Sequence, residues 1–230
     1  MEKFTRKDFY FSVITGFYTG FIGWQILVFL ELPEFAGISY VWLVVLVPVL
    51  WILGVNLGYF LGRWLAFFNQ FGKFSAVGFT NAAVYFGILN LLITFYGVNR
   101  GIWYSLFVAL AFTIGTIHSY FWNKFWVFSQ SETDLRRRTD RLPLAAANIS
   151  TNISGEQFEN KISGQEFGKF LGVSMVTGLI NVGTASFVVN ILNPMFGMTF
   201  DQWANMGGIA GSAVALMASF IGFKLAVFRK

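Results

Sequence analysis

Residues 71–96 read FGKFSAVGFTNAAVYFGILNLLITFY, and this stretch decides which solvent the chain folds in. After Lys73 it carries no charged side chain as far as Tyr96. A helix rises about 1.5 Å per residue and the hydrocarbon core of a bilayer is about 30 Å thick, so about 20 such residues cross it. A surface helix of a soluble domain would need a charged face opposite its apolar one. This stretch has none, so the run from Phe74 to Tyr96 reads as a transmembrane helix.

Working outward, five more runs qualify, at Phe9–Leu30, Tyr40–Leu61, Ile102–Trp122, Phe170–Leu192 and Trp203–Phe223. Turns with Pro, Gly and Asn separate them, and none of the six, so bounded, contains an Asp or Glu. The first follows the basic Met1–Lys7 and resembles a signal peptide. It is too long for an h-region and no small-x-small cleavage site follows, so it reads as a retained anchor. The whole chain agrees with the local reading: 230 residues are 56% hydrophobic, 20% aromatic and 12% charged, against about 25% charged in soluble domains. This excludes most soluble enzyme classes and, despite the net charge of +5, a nucleic-acid module. Zero cysteines and one histidine, His118, exclude a disulfide framework, a cysteine–zinc site and a multi-imidazole metal centre. No metal and no cofactor is expected.

Lysine and arginine stay on the cytoplasmic side during insertion. Both termini inside puts fifteen of the sixteen there, leaving only Arg100 outside. The expected topology is N-in, C-in, in the cell inner (cytoplasmic) membrane. Trp64, Trp122, Trp126 and Trp203 fall near span ends, as an aromatic belt requires. Residues 129–165 form a polar cytoplasmic loop with Arg136, Arg137, Arg138 and Arg141, a basic run suited to anionic lipid or to a partner. Its two glycosylation sequons, at Asn148 and Asn152, lie on the wrong side for modification.

An internal repeat organises the rest. Phe71-Gly72-Lys73-Phe74 recurs 96 residues later as Phe167-Gly168-Lys169-Phe170. Lys124-Phe125-Trp126-Val127-Phe128 is matched at an offset of 100 by Lys224-Leu225-Ala226-Val227-Phe228. Two hairpins, 69–128 and 166–229, therefore share one orientation, a parallel duplication with its pseudo-twofold axis along the membrane normal. The expected fold is all-α and polytopic, with six transmembrane helices. Residues 1–68 form a two-helix extension before a four-helix domain over 69–230.

Lys73-Phe-x-x-Val77-Gly78-x-x-Asn81 opening one helix, Asn123-Lys-x-Trp126-x-Phe128 closing the next, and the second pair ending at Lys224-x-x-Val227-Phe228 together resemble a GtrA-like domain. The likeness covers about residues 69–229 and leaves the two N-terminal helices outside it. Ala82 stands where a Thr-type residue often follows the Asn, and Lys124 and Lys224 stand where Arg is common. The resemblance implies a flippase that moves a polyprenyl-phosphate-linked sugar from the cytoplasmic to the outer leaflet, for surface polysaccharide or glycan biosynthesis. It implies a transporter rather than an enzyme.

The residues suit such a ligand. An anionic phosphate at headgroup level calls for cations there, and Lys73, Lys124, Lys169 and Lys224 lie at one depth. Deeper uncharged groups, Thr80, Asn81, His118, Asn123 and Asn181, suit sugar hydroxyls. Snorkelling lysines and interhelical hydrogen bonds are the structural alternatives. Small residues at four-residue spacing, such as Gly16/Gly20 and Gly54/Gly58/Gly62, pack helices and offer a homodimer interface. Two other functions compete. One is a non-transporting anchor that recruits a membrane glycosyltransferase through the basic loop. The other is a proton-coupled small-molecule exporter, disfavoured because no span holds a carboxylate.

Overall fold

In the computed structural model the first helix begins at Arg6, three residues before its apolar run. The residues described are 3–34, 37–65, 67–127 and 164–226, without the side chains of 164–171, 173 and 219–226. Thr5 supplies the reason for the early start. Its hydroxyl accepts from the Asp8 N–H while the Asp8 carboxylate accepts from the Thr5 N–H, so two otherwise orphaned donors are satisfied reciprocally. The consequence reaches beyond the helix end, because it brings Asp8 inside.

Helix α1 runs over Arg6–Phe29, and a short 3-10 turn, Tyr40–Trp42, leads into α2 at Leu43–Leu61. Then follow α3 (Phe67–Tyr96), α4 (Gly101–Trp122), a π-helical turn (Asn123–Val127), α5 (Gly164–Ile191) and α6 (Phe200–Ala226). No β-strand occurs among the described residues. The reversal between α3 and α4 is made by Gly97 and Gly101, at φ +65° and +74°, a region that a Cβ disfavours. Among the described residues, five segments are long and apolar enough to cross a membrane: Arg6–Phe29, Tyr40–Leu61, Phe67–Tyr96, Gly101–Val127 and Ser174–Ile191. The expected sixth lies in α6, which has spanning length at 27 residues. Asp201, Gln202, Asn205 and the Gly207-Gly208 pair dilute its apolar character. Exposed Phe17, Phe60, Phe67, Phe79 and Phe95 cover an outer surface that water would not tolerate.

Helices α3, α4, α5 and α6 pack each on the next, and α3 also meets α6. Their core holds Tyr85 and Leu89 of α3, Tyr104 and Val108 of α4, Ala185 and Val189 of α5, and Trp203 and Ala204 of α6. Helices α1 and α2 pack on each other and on α3. A second core, Val55, Tyr59, Ala76, Val77, Trp126 and Val127, lies at the end of the molecule that holds Thr5 and Lys73, here the basic end. Small residues make the close contacts: a Cβ added at Gly16 would lie 2.5 Å from the Pro48 Cα, and one at Gly58 would lie 2.8 Å from the Phe68 carbonyl. Two of the four tryptophans expected in a belt are internal instead. Trp126 is buried against Asp8, and Trp203 is buried and donates to the Val188 carbonyl at 3.1 Å. An indole N–H near a helix end takes a protein acceptor where one is in reach.

Candidate functional site

The capping box that starts α1 leaves the second Asp8 oxygen and much of the first free to accept from elsewhere, and three further elements supply donors. Oδ2 accepts from the Thr5 N–H at 3.0 Å, the Thr5 hydroxyl at 2.7 Å and the Tyr59 hydroxyl of α2 at 3.0 Å. Oδ1 accepts from the Trp126 indole at 3.1 Å and pairs with the Lys73 ammonium of α3 at 3.0 Å. Both charged side chains are 1% exposed. Lys73 also lies 5.1 Å from the centre of the Tyr59 ring. A buried ion pair stands only when its remaining donors and acceptors are satisfied, and the Asp8 carboxylate meets that condition with both oxygens engaged. The π turn helps: its wider winding puts consecutive residues Trp126 and Val127 both inside.

Ten residues along α1 from Asp8, about 15 Å at helical rise, a second polar layer begins. The Tyr18 hydroxyl and His118 Nε2 lie 2.7 Å apart. Thr19 donates to the Thr80 hydroxyl at 3.0 Å, the Trp51 indole donates to it at 3.3 Å, and Thr80 donates to the Ala76 carbonyl. Asn81 lies against Gly115, where an added Cβ would be 3.3 Å from Asn81 Oδ1. That oxygen has no hydrogen-bond partner. Among the described residues, four buried side-chain atoms are so orphaned: Ser12 Oγ, Asn81 Oδ1, His118 Nδ1 and Asn123 Oδ1. They sit on α1, α3, α4 and the π turn that continues α4.

The opposite end is closed by direct bonds between helices. Asn90 and Asn205 exchange two amide hydrogen bonds at 3.0 and 2.7 Å, joining α3 to α6. Asn190 accepts from the Gly101 N–H, and Ser186 donates to Ser105 at 2.7 Å, joining α5 to α4. Between α1 and α3 an apolar cleft of about 480 Å³ is lined by Phe21, Val28, Leu91 and the polar Gln25 and Thr94. Its floor is the contact of Ile22 with Gly87, one turn from Thr19.

Residues 73–154 match the family model described as GtrA/DPMS, transmembrane domain. Over that segment the chain is similar to a GtrA-like transmembrane domain. No curated protein and no solved structure matches the chain. The match begins at Lys73 itself and takes in α3, α4 and the π turn, so α1 and α2 precede it. The match and the long apolar helices make this a multi-pass membrane protein.

The residues singled out from sequence have distinct fates. Lys73 is buried on Asp8, whereas Lys124 is exposed beside the Tyr120 and Phe125 rings, 5.6 and 5.9 Å from their centres. These two ammonium groups face different surroundings. Thr80 is satisfied on three sides, and Asn181 is bonded to Tyr85 and Ser212. Asn81, His118 and Asn123 carry the orphaned atoms. The side chains of Lys169 and Lys224, and all of Arg136, Arg137, Arg138, Arg141 and both sequons, lie outside the described residues. One reading is corrected. The statement that no span holds a carboxylate fails at Asp8 and at Asp201, because the runs were started at Phe9 and Trp203 and the helices start at Arg6 and Phe200; Asp201 accepts from Asn99 at 2.8 Å. Asp8, Ser12, Tyr18 and Tyr59 were missed for one reason, that they belong to helices outside the resemblance. The Thr5-x-x-Asp8 capping pattern was the available signal for Asp8.

Proposed function

We propose that this protein is a translocase that moves a polyprenyl-phosphate-linked sugar from the cytoplasmic to the outer leaflet of the inner membrane. It acts as a transporter and not as an enzyme, with six spans and both termini in the cytoplasm. The observation that carries this reading is the set of orphaned polar atoms on Asn81, His118 and Asn123 of the GtrA-like domain. In a protein surrounded by lipid a buried amide without a partner costs several kcal/mol, so such atoms persist where a ligand or water completes them. A sugar is a dense array of hydroxyls that both donate and accept, so it can complete the two amide oxygens and the His118 ring nitrogen alike. The adjoining cleft between α1 and α3 suits the isoprenoid tail, being apolar and in the size range of about 300–1,000 Å³ found for ligand sites. Asp8 is no substitute for the free carboxylate of a proton-coupled exporter, since an ammonium and four further donors hold it.

The test is native mass spectrometry in mild detergent, with isoprenyl-phosphate sugars, free sugars and lipophilic cations in competition. Selective retention of an isoprenyl-phosphate sugar by the wild type, weakened about tenfold in Asn81→Leu without loss of stability, is expected. Retention of none of them, with a co-purifying glycosyltransferase instead, would sink the reading and favour a recruiting anchor.

A further inference from the structure

The point occupied by the Asp8 carboxylate is defined by donors from the body of the protein. The Lys73 ammonium, the Trp126 indole and the Tyr59 hydroxyl reach it from α3, the π turn and α2, at 3.0, 3.1 and 3.0 Å. Lys73 and Trp126 lie in the segment that matches the GtrA-like family, whereas Asp8 arrives on α1 from outside that segment. We infer that these donors form an anion site for a phosphate headgroup, and that Asp8 is a tethered anion that fills it in the ligand-free protein. The inference rests on the proposed function for the identity of the lipid, and its physical argument is local.

Three features support it. First, the convergence of an ammonium, an indole N–H and a phenol on one point is what an oxyanion with several lone pairs requires. Second, two of the orphaned atoms stand within a turn of the site along the chain. Ser12 lies one turn beyond Asp8 on α1 and Asn123 lies three residues before Trp126, each with a buried polar atom that has no partner. A phosphate at the Asp8 position would set its attached sugar against Ser12 and Asn123. Third, exchange of carboxylate for a phosphodiester preserves charge. Lys73 is never left buried without an anion, which is the costly state of such a pair. Asp8 stands in the first turn of α1, held there by Thr5, and helix ends open at the least cost. The extension thus competes with the headgroup and sets how much anionic lipid is needed to open the site.

The experiment uses the full chain in mild detergent and follows thermal unfolding of the wild type, Asp8→Ala and Asp8→Ala/Lys73→Met. The additives are acetate, inorganic phosphate and an isoprenyl phosphate. Asp8→Ala is expected to gain about 5 °C with saturating isoprenyl phosphate and to be partly rescued by acetate. The wild type is expected to respond to neither acetate nor inorganic phosphate. Rescue by inorganic phosphate at the same concentration as the isoprenyl phosphate would identify a free anion as the ligand, and rescue at far lower isoprenyl phosphate concentration would identify the lipid. Absence of any anion effect on a folded Asp8→Ala protein, or an equal effect in Asp8→Ala/Lys73→Met, overturns the inference. If Asp8→Ala does not fold, Asp8→Asn keeps the shape, and it is expected to bind isoprenyl phosphate about tenfold more tightly than the wild type. Unchanged or weaker binding by Asp8→Asn also overturns it. Anion rescue with no sugar selectivity would leave this site standing and remove the proposed cargo. Sugar retention with no rescue would do the reverse.

Discussion

Replacing Lys73 with methionine keeps most of the side-chain volume and removes the ammonium 3.0 Å from Asp8 Oδ1. Both side chains are 1% exposed, so the carboxylate left behind cannot regain water without opening the helix ends. Removing one partner of a buried pair costs about 3–5 kcal/mol. The Thr5 N–H and hydroxyl, Tyr59 and Trp126 still donate to Asp8, which places the cost at the lower end. The expected loss is about 3 kcal/mol, or about 140-fold in the folding equilibrium. Asp8→Asn/Lys73→Met removes both charges, and it is expected to recover about 2 kcal/mol of that loss because an amide is far cheaper to bury than a lone carboxylate. Equilibrium unfolding in mixed micelles of the four proteins in this cycle measures the coupling directly. A loss below about 1 kcal/mol for Lys73→Met, or a coupling near zero, would refute the claim that the pair is desolvated.

Trp126→Phe keeps the ring packing but deletes a donor to a buried carboxylate, so it is expected to cost about 1.5–3 kcal/mol in the same unfolding assay. Gly16→Ala drives a Cβ into Pro48 and is expected to lose about 1–3 kcal/mol. Gly54→Ala, with nothing within 4 Å of the added carbon, is expected to be neutral or stabilising by melting temperature. Asn90→Leu breaks the amide exchange with Asn205 and is expected to cost about 0.6–1.7 kcal/mol, with partial recovery in Asn90→Leu/Asn205→Leu.

The helices were legible in the sequence because their signal is bulk hydropathy, which tolerates errors of a few residues at each end. The same tolerance hid the ion pair. A window that favours apolar residues starts at Phe9, whereas helix geometry starts where Thr5 caps it, and Asp8 falls in the gap. His118 was legible as a residue that needs a partner on a neighbouring helix, but nothing in its neighbourhood names Tyr18, 100 residues away. Trp126 near a span end has the same sequence signature whether it faces lipid headgroups or a buried carboxylate. The π turn that aims it inward leaves no periodic trace over five residues. At one end, residues related by the repeat make similar bonds: Asn90 and Asn190, at an offset of 100, each bond across to the other hairpin. The orphaned atoms are not distributed that way. Asn81 Oδ1 has no partner, while Asn181, at the same offset, is bonded to Tyr85 and Ser212. The repeat itself breaks the symmetry here, because Ser212, which accepts from Asn181, has Phe112 as its counterpart at the same offset, a side chain with no polar atom.

The central claim is that a lipid-linked sugar crosses the membrane through this protein. The direct measurement is translocation in sealed proteoliposomes, with a labelled isoprenyl-phosphate sugar loaded in one leaflet and a membrane-impermeant sugar oxidant outside. The account predicts fast loss of protection with the wild type and at least about a tenfold slower loss with Asn81→Leu at the same content of folded protein. Protection that decays at the same rate in protein-free vesicles and in wild-type vesicles would contradict it.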